Sequence, residues 1–249
     1  MGWHALTLTL FISTSAECQG VQRHDYTDTL LEYFFSTGGD TVTETYIFDS
    51  EIQRAISIQL NGNLQGSNRI VTRLALERST YSATLSFRVF FPQDFQWVKG
   101  GKLLGLGPVH PVSNGGLVTT DKWSARVMFR GEGNVSTYMY CLNKSSKWGR
   151  SKFSDFPMLY KGGWNEISFA LSLFPGPIGS SSKLTVNGFS VYDSGLIFPF
   201  KNDGSRGLIN TLLFDVFYGG NSSDWAPTTP EGLFSSSNIV IDDVVVVID

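Results

Sequence analysis

The sequence predicts an all-β fold, an antiparallel β-jelly roll or two-sheet sandwich with an open groove. Three features carry that expectation. From residue 41 onward apolar and polar residues alternate with a period of two, the spacing that sends successive side chains to opposite faces of a strand. The alternating runs are short and rich in Thr, Val, Phe and Tyr, which suit a pleated, half-buried surface. Clusters of Gly, Asn, Ser and Pro separate them at even intervals, as turns require. Many even-spaced strands close into a sandwich or jelly roll. The chain has 249 residues, 41% hydrophobic and 16% charged, enough apolar material for one sizeable core and too little charge for disorder. With no internal repeat and no dividing linker, residues 17–249 are expected to form a single domain.

Along the chain, the one helical segment is short, Asp28 to Phe35, with Thr27 as its expected N-cap. Strand patterns follow at 41–48, 81–91, 124–130, 136–142, 164–173, 183–192, 208–218 and 238–247. The stretch KGGKLLGLG, residues 99–107, reads as a glycine-flanked loop that presents Lys99 and Lys102. In the last run Asp242 and Asp243 are adjacent, so a regular strand points them to opposite faces. That run carries too many aspartates, and is too short, to cross a bilayer.

Residues 1–16 read as a secretory signal peptide: an apolar run from Ala5 to Ile12, then Thr14 and Ala16 three residues and one residue before a cleavage point. Secretion is also suggested by three glycosylation sequons, at Asn134, Asn143 and Asn221, of which Asn134 lies nearest the expected groove. Cys18 and Cys141 are too few for a disulfide framework, and their pairing stays open.

Charge is segregated. The chain carries 19 Lys plus Arg against 22 Asp plus Glu, yet nine of the bases and only two acids, Asp121 and Glu132, fall between Lys99 and Lys152. A locally basic groove on an acidic protein attracts an anionic ligand without making the whole surface adhesive. Secretion and the acidic balance turn that reading from nucleic acid toward an acidic polysaccharide. For Lys144 to Lys152 a solvated face is the blander alternative.

The sharpest pattern is SARVMFRGEGNVSTYMYCL. Ser124, Arg126, Met128 and Arg130 share one face of the first strand, and Ala125, Val127 and Phe129 the other. Tyr138 and Tyr140 share a face of the second strand, with GEGNVS as the turn. If Ala125, Val127, Phe129, Met139 and Cys141 enter the core, then Ser124, Arg126, Tyr138 and Tyr140 converge on one patch, with cross-strand neighbours about 5 Å apart at Cβ. These groups suit β-elimination on a uronic acid polymer. That reaction needs the C6 carboxylate neutralised, a base for the C5 proton and an acid for the departing O4. Arg neutralises a carboxylate bidentately, and Tyr or Lys among cations can move the protons. No metal and no cofactor is called for. A glycosidase pair of carboxylates on one strand is missing from the sequence, as is a GxSxG elbow; of the histidines only His24 and His110 follow the leader, and neither sits in a metal-binding cluster.

WVKGGKLLGLG, WSARVMFRGEG, TYMYC and the later FDVFYGGNSSDWAPTTP together resemble the alginate lyases of polysaccharide lyase family 14, particularly those of plant-eating molluscs. The resemblance is strong from Trp97 to Cys141 and slight before residue 70. It implies a β-jelly roll that degrades mannuronate-rich alginate by β-elimination, leaving an unsaturated uronate at the non-reducing end. It implies catalytic roles for a lysine of the GGKL segment, Lys102 being favoured over Lys99 on the other side of the glycine pair, and for Ser124, Arg126, Tyr138 and Tyr140; Lys99 and Arg130 are taken as substrate contacts. The expectation is a secreted monomer, in digestive fluid if molluscan, that binds neither nucleic acid nor membrane. Two alternatives stand beside it: a lyase acting on glucuronan or another polyuronate, and a module that binds acidic glycans without cutting them.

Overall fold

The alternating runs form antiparallel strands in two sheets around a common core, the β-jelly roll expected from the sequence. The computed structural model describes residues 22–37, 41–48, 52–173, 180–198 and 207–248. The expected leader and Cys18 lie outside these residues. The elements are β1 (Gln22–Asp25), α1 (Thr27–Thr37), β2 (Val42–Phe48), β3 (Ile52–Asn63), β4 (Gly66–Ser67), β5 (Ile70–Thr80), β6 (Ser82–Phe91) and β7 (Gly100–Gly107). There follow β8 (Ser124–Arg130), β9 (Val135–Tyr140), β10 (Arg150–Phe153), β11 (Gly163–Ser172), β12 (Ser180–Val186), β13 (Phe189–Leu196), β14 (Ile209–Tyr218) and β15 (Ser236–Ile248). One sheet runs β13-β12-β11-β6-β15-β3-β2, with β1 on β15 and β4 on β3; the other runs β10-β9-β8-β7-β14-β5. Among the described residues no helix is long and apolar enough to cross a membrane.

Local chemistry explains where the elements depart from the sequence pattern. The run at 183–192 is a hairpin, because Asn187 and Gly188 both take positive φ (49° and 84°), the turn Asn-Gly favours. Thr27 is the first helical residue and not the cap. Its hydroxyl accepts the Val244 N–H at 3.0 Å while Asp25 accepts the Thr27 N–H at 2.9 Å, so a tie to β15 replaces the local cap. Leu30, Leu31 and Phe34 then face inward, and the Phe34 ring meets Phe214 at 5.3 Å. Asp242 and Asp243 do not point apart. The register slips between Asp242 and Val245, Asp243 takes φ 50°, and both carboxylates reach Arg88, at 2.6 and 3.0 Å.

The largest departure is at residues 100–107, which are a central strand and not a loop. Lys102 pairs with Met128 and Gly105 with Arg126, so Leu103 and Leu104 together oppose Val127. This bulge reverses the alternation. Leu103, Leu104 and Leu106 all enter the core, whereas an unbroken strand would place Leu104 and Leu106 on the same face as Lys102. Lys102 and Gly105 are left on the outer face, beside β8. Gly105 is needed there for close approach: a Cβ would lie 2.2 Å from the Ala125 carbonyl and 2.8 Å from the Arg126 Cα. Gly105→Ala should therefore lower stability by about 1–3 kcal/mol in urea unfolding, the usual cost of overpacking.

Candidate functional site

A cleft of about 780 Å³ opens on the outer face of the six-stranded sheet. Its floor is Lys102 from β7, Met128 and Arg130 from β8, Tyr138 and Tyr140 from β9, and Phe217 from β14. The hairpin pairing is the one its alternation requires: Ser124 opposite Tyr140, Arg126 opposite Tyr138. Walls come from Asn114, from Lys147 and Trp148, and from the segment after β14 that carries Asn221 and Trp225. The sequence points to Asn134 as the sequon nearest the groove, but the structure places Asn221 in the cleft wall itself.

Two of the five expected catalytic residues do not reach the cleft. Ser124 and Arg126 have 0% exposure and are absent from the cleft lining. The reason is residues 108–123, which fold back over that half of the sheet. The Val112 carbonyl accepts from the Ser124 hydroxyl at 2.8 Å and from Arg126 Nη1 at 3.3 Å. Arg126 Nη1 also donates to Ser124, and Arg126 Nε donates to the buried Asp215 carboxylate. Ser124 therefore has no open route to a bound uronate, and Arg126 is committed to a carboxylate of the protein. Lys99 is also displaced: 55% exposed at its side chain and 2.7 Å from Asp224, it lies outside the cleft lining.

Lys102, Tyr138, Tyr140 and Arg130 are brought together. The Lys102 ammonium lies 5.5 Å from the Tyr138 ring centre and 5.1 Å from that of Phe217. Burial, and then the Arg126 charge, pull its pKa down to about 7, with Asp215 pulling the other way. A substantial fraction is thus the neutral amine near pH 7. Each tyrosine oxygen accepts a backbone N–H from a covering loop, Tyr140 from Gly115 at 2.8 Å and Tyr138 from Gly149 at 3.0 Å. Glycine at 149 lets the loop approach this closely, because a Cβ would stand 2.8 Å from the Tyr138 ring and displace it. Burial, and then hydrogen bonding to Tyr138, push the Tyr140 phenol up to about 12 against the opposing pull of Gly115, so it keeps its proton at neutral pH.

Other cations ring this centre, each over an aromatic ring. Arg69 lies 4.6 Å from the Phe217 ring centre, Lys147 lies 5.3 Å from Trp148, and Arg130 lies 5.0 Å from Phe153. Arg130 is braced by the hydroxyls of Ser136 and Ser151 at 2.8 and 3.1 Å. Burial lowers it only to about 10, so it remains charged at neutral pH. Arg69, Phe217 and Trp225 escape reasoning from the hairpin because they sit far from it in sequence; the one signal for Phe217 and Trp225 was the FDVFYGGNSSDW segment, and Arg69 had none.

With this geometry in place, the match to known proteins is direct: the family described as polysaccharide lyase 14 covers residues 53–236. The chain belongs to that family. It is a polysaccharide lyase. Among solved structures, the lyase is similar to the PL-14 alginate lyase from Aplysia kurodai (17% identity, 84% of this chain and 88% of that one, TM-score 0.64). It is also similar to alginate lyase vAL-1 from Chlorella virus (16%, 86% and 96%, 0.62). A variant of alginate lyase Aly36B in complex with an alginate trisaccharide is a third (19%, 78% and 81%, 0.60). At these identities the likeness concerns the fold. No curated protein matches the chain.

A buried lysine with a lowered pKa costs the lyase stability, and the sign of the pH dependence follows. The unfolded chain binds the Lys102 proton up to about pH 10.5 and the folded chain only up to about 7, so the cost is full below 7 and fades as pH rises toward 10.5. Lys102→Met should therefore raise unfolding free energy by up to about 4 kcal/mol at pH 6 to 7, and by progressively less toward pH 10. Urea unfolding across that range checks it.

Proposed function

We propose that the lyase cleaves mannuronate-rich alginate by β-elimination, leaving an unsaturated uronate at the new non-reducing end. The observation that carries this reading is the row on the floor of a cation-ringed cleft, where Lys102, poised near neutrality, lies 5.5 Å from the Tyr138 ring centre and Tyr138 lies 5.6 Å from the ring of the protonated Tyr140. In this mechanism the neutral Lys102 amine takes the C5 proton, and the Tyr140 phenol, steadied by Tyr138, protonates O4 as it leaves. Arg130, Arg69 and Lys147 hold the uronate carboxylates and neutralise the one beside C5. Arg126 acts from beneath the floor as a fixed positive charge, with Ser124 holding its guanidinium.

Mannuronate is favoured because the base and the acid rise from the same sheet face. In mannuronate the C5 hydrogen and O4 lie on one side of the ring, so both proton transfers can occur from one side. In guluronate they lie on opposite sides, and a single floor cannot serve both. Neighbouring uronates would rest against Arg69 with Phe217 on one flank and Lys147 with Trp148 on the other. The same reading takes the enzyme to be secreted, on the strength of residues 1–16 and the exposed sequon at Asn221.

Incubation with poly-mannuronate, poly-guluronate and glucuronan, followed by the ultraviolet absorbance of the unsaturated uronate, tests the proposal. The expected outcome is fastest growth on poly-mannuronate; faster growth on glucuronan would make the enzyme a glucuronan lyase, and none on any polymer would end the reading. Tyr140→Phe should cut kcat by about 10²- to 10⁴-fold with the fold intact. Against pH, kcat/KM should rise as pH climbs through about 7, where Lys102 loses its proton.

A further inference from the structure

We propose that Asp215 and Arg73, neither of which touches the cleft, are positioning residues that set the protonation of Lys102 through the charge they place beneath the floor. The inference rests on the reading of Lys102 as the base. Asp215, on β14 with a side chain 3% exposed, joins two guanidiniums: Arg126 Nε from β8 on one oxygen, and Arg73 Nη1 from β5 on the other at 2.6 Å. Neither Asp215 nor Arg73 lines the cleft. Arg126 with Asp215 is a neutral pair, and Arg73 makes the group a cation of net charge +1. Because Arg126 Nη2 has no hydrogen-bond partner among the described residues, the guanidinium is only partly compensated.

Lys102 lies on β7, the strand between β8 and β14, opposite Met128 and Phe217, which are each two residues along their strands from Arg126 and Asp215 and so share their face. The remaining groups around it are Arg69 ahead of β5, the Tyr138 ring from β9 and the Phe217 ring from β14, with Tyr140, Arg130 and Lys147 in the same cleft. In this partly desolvated setting two like charges repel more strongly than in water. Burial holds the Asp215 carboxyl up, but Arg126 and Arg73 outweigh that and keep it ionised well below the usual carboxylate range. The net positive group beneath the floor thus persists throughout the neutral range. Asp215 favours the Lys102 ammonium, and Arg73 disfavours it.

The two residues therefore predict shifts of opposite sign, which loss of packing would not produce. The primary readout is the ionisation of the Lys102 amine itself, from the pH dependence of competitive acetylation by acetic anhydride, located by peptide mass spectrometry. Arg73→Gln removes a partly exposed cation and should raise the Lys102 midpoint by about half a pH unit; Asp215→Asn should lower it by about one. The acidic limb of kcat/KM on poly-mannuronate should move with each midpoint, making Arg73→Gln about threefold slower at pH 6. If Asp215→Asn does not fold, Arg73→Gln alone decides the sign. Midpoints that stay at the wild-type value, or move in the same direction in both variants, overturn the proposal. Midpoints that move as stated while the kcat/KM limb stays still would uphold it and instead remove Lys102 from the role of base.

Discussion

The site depends on a guanidinium buried inside the outer face of a β-sheet. Arg126 has no exposure, and a charge in that position is tolerable only when it is paired and hydrogen-bonded. The surrounding structure supplies those conditions one by one. Asp215 meets Nε, Ser124 and the Val112 carbonyl meet Nη1, and Gly105 removes the side chain that would collide with the Arg126 backbone. Residues 108–123 close over the group, and the same segment then supplies the Gly115 N–H to Tyr140. One buried charge thus ties together the register of β7 against β8, the path of the covering segment and the setting of one of the two tyrosines.

How much of this was legible depended on whether the signal was local. The 124–130 and 135–140 hairpin follows directly from alternation, because its two strands and its turn are contiguous; its register puts Arg126 opposite Tyr138 just as the parity of the two runs requires. Lys102 was legible as a residue but not as a position. The bulge at Leu103 and Leu104 breaks the period on which the reading relied, so a central strand looked like a glycine-rich loop. The covering of Ser124 and Arg126 could not be read from the hairpin. Alternation tells which residues share a face, and only the tertiary path of residues 108–123 tells whether that face is open. The adjacent Asp242 and Asp243 failed for a related reason, since their strand is irregular where they sit.

The charge map shows the same division. Nine bases in one stretch suggested a locally basic groove, but acids remote in sequence absorb several of them: Asp215 takes Arg126, Asp193 takes Arg150 at 2.5 Å and Asp224 takes Lys99. What reaches the cleft is a smaller set, Lys102, Arg130 and Lys147, joined by Arg69 from outside the stretch. The field over the cleft is therefore set by which cations are left unpaired at its surface, and composition alone does not count those.

The positions that violate ordinary folding preferences gather at this site. A lysine is buried between two rings, an arginine is sealed under a loop, and a glycine occupies the middle of a central strand. The lysine and the arginine each lower stability when taken alone, and a sequence that optimised the sheet would replace both with β-branched or aromatic residues; the glycine is what lets β7 approach the Arg126 backbone. Their concentration in one place, next to two phenols that accept backbone N–H groups from different loops, fits a site in which stability has been given up for proton transfer near neutral pH. On the opposite sheet Arg88 joins Asp242 and Asp243 beside the Trp164 ring, a group of net charge -1 in which burial, and then the Asp242 charge, hold the Asp243 carboxyl above its usual value. The two sheets thus carry buried ion groups of opposite net sign, and the cationic one lies beneath the floor of the cleft on the six-stranded sheet, the sign that suits an anionic ligand.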